Sequence, residues 1–358
     1  PDHDSINTFR QRFLPQLEGL FLQILVMAEA LGVLKLGDVS LDGAKILANA
    51  SKHHAMSWGY AERLEQQLRA EVQTLLARAA AAGGADDGRV DLAGELKRRE
   101  ERLARIAEVK IEIERRAAVR DAEERAAYEV KGAERAAKET ARGRKLGGKP
   151  PQAPAPGPRP KDQINFTDGE SRIMPVAGGG FEQAYNAQAT VTMGSLLIIG
   201  AHLTQNTNDK QEMEPALAEL AKLPAMVGTV RGINADNGYL SEDNVNRVTD
   251  AGMEPLIALG RQSHHEALEA RLAPVPAPPE NPTALQAMQY RLKTPEGKAR
   301  YAQRKTTSEP VFGIIKEVMG FRRFLLRGLE KVKGEWRLVC LAFNLKRLCV
   351  LNQGVTAS

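Results

Sequence analysis

The sequence predicts an α/β fold, a mixed sheet with flanking helices, interrupted by a long helical hairpin. Three observations carry this. Short strand-like runs at residues 34–47, 181–193, 196–204, 228–235 and 254–259 are separated in the second half by segments of helical spacing. Residues 59–145 change character to Ala, Glu, Arg and Leu, with apolar residues at helical intervals. Two proline-rich stretches, 147–160 and 274–282, punctuate the rest.

The 358 residues are enough to bury a sizeable core in two or three structural units. The net charge of +5 is unevenly placed: residues 291–358 hold 15 Lys and Arg against 5 Glu, so this end is +10 and the remainder −5. A basic end on a mildly acidic body predicts a polyanionic partner, most simply nucleic acid. Cys340 and Cys349 lie nine apart in one predicted helix with no second pair to build a metal site, and read as reduced core residues of a cytosolic protein. No apolar run approaches the roughly 18 residues needed to span a membrane, and no signal-peptide pattern opens the chain. The chain begins at Pro1 without a methionine and soon enters a helix, which predicts a fragment of a longer protein.

A short helix is expected over residues 5–12. Pro15 opens a second, with Leu17, Leu20, Phe21, Ile24, Leu25, Ala28 and Leu31 at helical spacing and Gly32 as its stop. Residues 34–47 read as a strand delivering Asp42, although Asp42-Gly43 alone also fits a hairpin turn. Leu64, Leu68, Val72 and Leu75, then Leu96, Leu103, Ile106 and Ile113, mark the seams of two antiparallel helices joined by a turn at residues 83–88. Arg98, Arg99, Arg115 and Arg116 on them fit a solvated face or a binding face. The stretch 147–160, with six prolines and three glycines, should be extended and poorly ordered.

Beyond it, two antiparallel strands meet at Met193-Gly194-Ser195, a helix runs over about 210–223, and a buried strand over 228–235 ends at Asp236-Asn237-Gly238. Asp236 fits a turn residue before Asn-Gly, or an acid at the carboxyl end of a strand, where α/β sheets gather function. Ser241 caps a helix to about residue 251, and the strand 254–259 follows. At Arg304 to Lys316, Ser308 reads as an N-cap, which puts Glu309 in a first turn that favours negative charge, with Lys316 seven residues on along the same face. A capped surface helix with a charged rim fits the same residues. Arg322, Arg323, Arg327, Lys331 and Lys333 are interleaved with Phe321, Phe324 and Trp336, a surface able to follow a DNA backbone. Leu338, Leu341, Leu345 and Leu348 form the core stripe of the last helix, with Trp336 packed beside it. The pairs His53-His54 and His264-His265 read as polar surface, and Gly178-Gly179-Gly180, with no lysine after it, as a flexible turn.

Seven segments together resemble the DDE transposases of bacterial insertion sequences, those with a helical insertion after the first aspartate. They are residues 39–46 (Val-Ser-Leu-Asp-Gly-Ala-Lys-Ile), 166–174 (Phe-Thr-Asp-Gly-Glu-Ser-Arg-Ile-Met), 185–189 (Tyr-Asn-Ala-Gln-Ala), 234–239 (Asn-Ala-Asp-Asn-Gly-Tyr), 309–313 (Glu-Pro-Val-Phe-Gly), 320–324 (Gly-Phe-Arg-Arg-Phe) and 334–336 (Gly-Glu-Trp). They keep the family's order and three of them carry acids.

The resemblance implies a ribonuclease H-like mixed sheet with Asp42, Asp236 and Glu309 as catalytic and metal-binding triad for two Mg²⁺ ions, or Mn²⁺. It implies cleavage at transposon ends and strand transfer into target double-stranded DNA. A homo-oligomer as the active complex, the bacterial cytoplasm with its nucleoid as the location, and no membrane association go with it. Lys316 matches the family's lysine after the glutamate, a DNA-phosphate contact, and Lys305, Arg322, Arg323 and Arg327 are further candidates for binding DNA. Related families place a Tyr and an Arg at fixed offsets before the glutamate; here Lys305 occupies the Arg register and Tyr301 stands one residue too far. The family's N-terminal DNA-binding segment would begin before Pro1, so a truncated relic that holds DNA or oligomerises without catalysis is the alternative. The expected organisation is a helical N-terminal segment (1–33), the first catalytic strand region (34–58), the helical hairpin insertion (59–146), the proline-rich linker (147–160) and the catalytic domain with basic C-terminal helices (161–350).

Overall fold

The computed structural model describes residues 8, 12–81, 91–260 and 277–356. Most of the helix expected over residues 5–12, the turn at 83–88, the His264-His265 pair and the start of the second proline stretch lie outside the described residues.

In chain order the first elements are helix α1 (Leu17–Ala30), strand β1 (Asp38–Leu47), strand β2 (Ala55–Ser57), helix α2 (Trp58–Ala81) and helix α3 (Leu92–Arg142). Strands β3 (Gln163–Asn165), β4 (Arg172–Pro175), β5 (Phe181–Thr192) and β6 (Ile198–Thr204) follow. Then come α4 (Met213–Leu220), β7 (Gly232–Ala235), α5 (Glu242–Asp250) and β8 (Glu254–Ile257). The last elements are α6 (Ala284–Arg291), α7 (Pro295–Ala302), α8 (Ser308–Gly313) and α9 (Leu329–Thr356). They fall into two compact units, Pro1–Lys52 with Glu170–Ser358, and His53–Gly169.

The first unit is built on a mixed six-stranded sheet in the order β4-β5-β1-β7-β8, with β6 also paired to β5. Strand β1 is its hinge: antiparallel to β5 on one side and parallel to β7 on the other. Asp42 and Gly43 lie inside that strand, opposite Ala189 and Gln188, so the hairpin-turn reading of Asp-Gly is overturned. The turn is excluded by pairing with strands far away in sequence. Leu41 and Ile46 are fully buried, and helices α1 and α9 bring Phe21, Leu25, Trp336 and Cys340 to the same core.

At the start of β1, Asp38 accepts bonds from Arg231, just before β7, and from Arg300 of α7 at 2.6 and 2.7 Å; Arg300 also reaches Glu254 of β8. Burial acts to raise the Asp38 pKa, but the two guanidiniums outweigh it and hold it below the usual value. This clamp fixes the parallel strands against the helix that leads to residues 303–309.

The last helix keeps part of its expected stripe: Leu341 and Leu348 are buried beside Trp336 and Cys340, while Leu345 is 43% exposed. Cys349 is exposed, not a core residue, because nine residues at about 100° each place it on the face opposite Cys340. Trp336 packs as expected: its ring stacks on Phe312 at 6.1 Å and its indole N–H donates to the Gln188 carbonyl at 3.0 Å. Asn344 bonds both the N–H and the carbonyl of Ile198, fixing α9 to β6.

In the second unit α2 and α3 run antiparallel, as Lys110 to Glu65 and Arg99 to Glu71 pair in opposite order along the two helices. Leu64, Leu68, Ile106, Val109 and Ile113 form the seam. Arg98, Arg99, Arg115 and Arg116 are engaged by Glu95, Glu71 and Glu112 within these helices. The proline-rich stretch has no regular secondary structure, as its composition dictates, but it is tied along α3. Arg120 binds Asp162 and the Gly157 carbonyl, Asp121 accepts the Gly157 N–H, and Arg135 binds the Leu146 carbonyl. Composition fixes its extension; these long arginines on α3 fix its place.

Candidate active site

The pleat of β1 decides which side chains meet. Asp42 and Ser40 share one face, and Gly43 and Lys45 the other. On the first face, Asp42 sits opposite Ala189. Its Oδ1 accepts the Gly43 N–H at 2.8 Å and its Oδ2 the Ser308 hydroxyl at 2.9 Å, with an Arg304 guanidinium nitrogen at 3.5 Å. Burial raises the Asp42 pKa, with the Asp236 charge pushing the same way, and the hydrogen bonds of Ser308 and Gly43 and the charge of Arg304 offset only part of this.

Asp236 follows β7 directly. Ser40 pairs with Asn234 in parallel register, so two residues on, the parallel strands carry Asp42 and Asp236 as neighbours. The Asp236 carboxylate accepts the Gly238 N–H at 2.8 Å and caps a one-turn helix at Asn237–Tyr239, so it is both a turn residue and an acid at a strand end.

Glu309 lies in the first turn of α8, and its side chain is 58% exposed. Ser308 is not the N-cap expected of it. It is the first helical residue, and its hydroxyl is committed to Asp42 and to Ser40. Arg304 spans the gap, 3.5 Å from Asp42 and 3.8 Å from Glu309. Burial works against its positive charge, but Tyr301, which hydrogen-bonds it, and the charges of Asp42 and Asp236 raise its pKa. The residue facing the acids is therefore Arg304 with Tyr301 behind it, whereas Lys305 is exposed. The signal was present in the sequence, since Tyr301 and Arg304 stand three apart on one helical face.

Lys316 lies in a π-helical turn, Ile314–Val318, that continues α8. Burial lowers its pKa while the Asp42 charge works to raise it. Arg322, Arg323 and Arg327 are exposed on the segment before α9.

On the opposite face of β1, a network unseen in the sequence braces the strand. Asp209 accepts from Lys45 at 3.1 Å, Asn186 at 2.7 Å and Gln188 at 2.9 Å, and the Tyr239 hydroxyl donates to Gln188. Burial, and then the charges of Asp209, Asp42 and Asp236, push the Tyr239 pKa well up, so the phenol stays a neutral donor. A Cβ on Gly43 would come within 2.2 Å of the Gln188 amide nitrogen, so a side chain there would displace that amide from Asp209. His54 approaches Thr167 in the second unit and takes no part in the site.

The donor set is all oxygen, the kind that a hard divalent cation such as Mg²⁺ takes. Asp42 and Asp236 fit such an ion in kind and by their place on adjacent strands, while Glu309 stands across Arg304. Among the described residues no three His, Cys, Asp or Glu side chains are gathered closely enough to hold a metal ion. No helix among them is long and apolar enough to cross a membrane.

Comparison with curated proteins and with solved structures gave no match. Residues 276–349 match the family model described as transposase DDE domain, a segment that holds Tyr301, Arg304, Glu309, Lys316 and the basic run to Arg327. Over that C-terminal segment the chain is similar to transposase DDE domains, and the resemblance read from the sequence is borne out there.

Proposed function

We propose that the chain is a DNA transposase that cleaves a phosphodiester at a transposon end and joins the freed 3′-hydroxyl to target DNA, with Asp42, Asp236 and Glu309 as its acids. The observation that carries this reading is the approach of three chain-distant segments: Asp42 in β1, Asp236 at the end of the parallel neighbour β7, and α8, tied to Asp42 by Ser308. The strand order supports a ribonuclease H-like core, in which an antiparallel pair is joined through β1 to a parallel pair.

Asp42, Asp236 and Glu309 would hold Mg²⁺ or Mn²⁺, which when bound lowers the barrier to in-line attack by neutralising charge on the phosphate and its oxygens. The chain's own part is position and charge. The Gly43 and Gly238 N–H groups and the Ser308 hydroxyl orient two carboxylates in advance, and Arg304 offsets their repulsion. Lys316, Lys305, Arg322, Arg323 and Arg327 are the proposed contacts to DNA phosphates, and more than one copy of the chain assembles on the DNA, at the nucleoid of a bacterial cytoplasm.

Asp236→Asn should abolish Mg²⁺-dependent nicking of a transposon-end duplex and leave binding of that duplex unchanged. Nicking at the wild-type rate would refute the reading. The stand-off of Glu309 across Arg304 favours one rival, a chain that holds DNA without cutting it; cleavage in Mg²⁺ or Mn²⁺ eliminates that rival.

A further inference from the structure

Between the π-helical turn and α9, residues 320–328 form a segment held at both backbone and side chain. Leu47 bonds the segment twice through its backbone: its carbonyl accepts the Phe324 N–H at 2.8 Å, and its N–H donates to the Arg322 carbonyl at 3.3 Å. The buried Glu335 carboxylate accepts the N–H groups of Leu325 and Leu326 at 3.0 Å each. Asn49 donates its amide to the Leu325 carbonyl at 2.8 Å, and Arg327 donates to the Asn49 carbonyl at 3.1 Å.

Phe324 is buried in the core, edge-on to Tyr185 at 5.8 Å and to Phe321 at 5.3 Å, while its neighbours Arg323 and Leu325 are exposed. Leu325 is 62% exposed on a backbone with little freedom to withdraw it, and Arg322, Arg323 and Arg327 are exposed around it. Tyr185 pairs with Ile46, which shares the sheet face of Asp42, so the segment stands on the same face as the acids. Leu47 is five residues beyond Asp42 on β1. At about 3.4 Å per residue that is about 17 Å, or about five base-pair steps of duplex.

We propose that Leu325 is an apolar wedge that enters the base stack of bound duplex DNA, positioned by the phosphate contacts of Arg323 and Arg327, about five steps from the phosphate at Asp42. An anchored apolar side chain among guanidiniums is the chemistry that opens a base step: the cations bind backbone on either side, and the leucine replaces stacking lost when the step unstacks. The flanking charge selects a polyanion over a protein partner, and the rigid carbonyl and N–H anchors keep the leucine from folding back. This inference rests on the transposase reading for its DNA.

The test is fluorescence of 2-aminopurine placed at successive positions in 30-base-pair duplexes, titrated with the full chain in Ca²⁺ to hold off cleavage. Wild type should raise the emission about twofold at a step it unstacks. Leu325→Ala, with circular dichroism unchanged, should bind with the same salt dependence and give no rise, and Leu325→Phe should restore it. Arg323→Ala with Arg327→Ala should weaken binding and keep the rise at saturation. Wild-type binding without a rise, an equal rise in Leu325→Ala, or a change of oligomeric state in Leu325→Ala on gel filtration would each overturn the wedge alone. Failure of the wild type to bind duplex at low salt would overturn the transposase reading and the wedge with it.

Discussion

Ser308 donates its hydroxyl to the Asp42 carboxylate at 2.9 Å across 266 residues of chain, and so joins the helix that bears Glu309 to the strand that bears Asp42. Removing the hydroxyl leaves a half-buried carboxylate with one donor fewer. Ser308→Ala should cost about 1 kcal/mol of stability and lower the cleavage rate roughly tenfold or more, with DNA affinity unchanged. Ser308→Thr should recover most of the rate. Denaturant titration and single-turnover kinetics on the same preparations measure both.

Arg304 neutralises the carboxylates that a divalent ion would also neutralise, so the two compete. In Arg304→Ala, added Mn²⁺ should raise the melting temperature by more than it does in wild type, while cleavage is lost. Arg304→Lys should not restore activity, since an ammonium cannot span two carboxylates as a planar guanidinium does. Thermal shift over a Mn²⁺ titration reads the difference, and an equal shift in both proteins would count against the competition.

The Asp38 clamp predicts the acid limb of stability. Because the folded Asp38 pKa is depressed, its contribution is present above the unfolded carboxylate range near pH 4 and is lost as pH falls through the lower folded value. Arg300→Met removes one partner from a largely buried pair and should cost about 3 kcal/mol at pH 7. The deficit should shrink as the pH is lowered below 4, as followed by urea unfolding over a pH series.

Burial penalises the charge of Asp42, so the site is held together at some expense to stability. Asp42→Asn should abolish cleavage and raise the melting temperature by a few degrees. A lower melting temperature would mean that the hydrogen bonds and Arg304 already outweigh the burial.

Lys316→Ala should weaken duplex binding uniformly across sequences and reduce the slope of log affinity against log salt by about one. An unchanged slope would remove Lys316 from the phosphate contacts.

The strands and helices were legible in the sequence where local pattern and tertiary context agree. The alternation around Val39, Leu41 and Ile46 marks β1, and Ser241 does cap its helix, accepting the Asn244 N–H. What local pattern could not settle is where a polar group spends its bonds. Asp42-Gly43 fits a turn until β5 pairs along it, and Ser308 fits a cap until its hydroxyl is drawn to Asp42. Arg304 was masked by its neighbour Lys305 because the 3₁₀ segment at Gln303–Thr306 tightens the backbone there and sets which of the two faces the acids. The Asp209 network was invisible because its donors are far apart in sequence, with Lys45 reaching it from β1 and Asn186 and Gln188 from β5.

Asp42, Asp236 and Glu309 are proposed to grip divalent ions, and anomalous scattering from Mn²⁺-soaked crystals of the full chain is the decisive check. A peak is expected roughly 2.0 to 2.5 Å from oxygens of Asp42 and Asp236, with Arg304 displaced and Glu309 turned inward. Full Mn²⁺ loading with no peak at these aspartates, and Arg304 still between Asp42 and Glu309, would contradict that role.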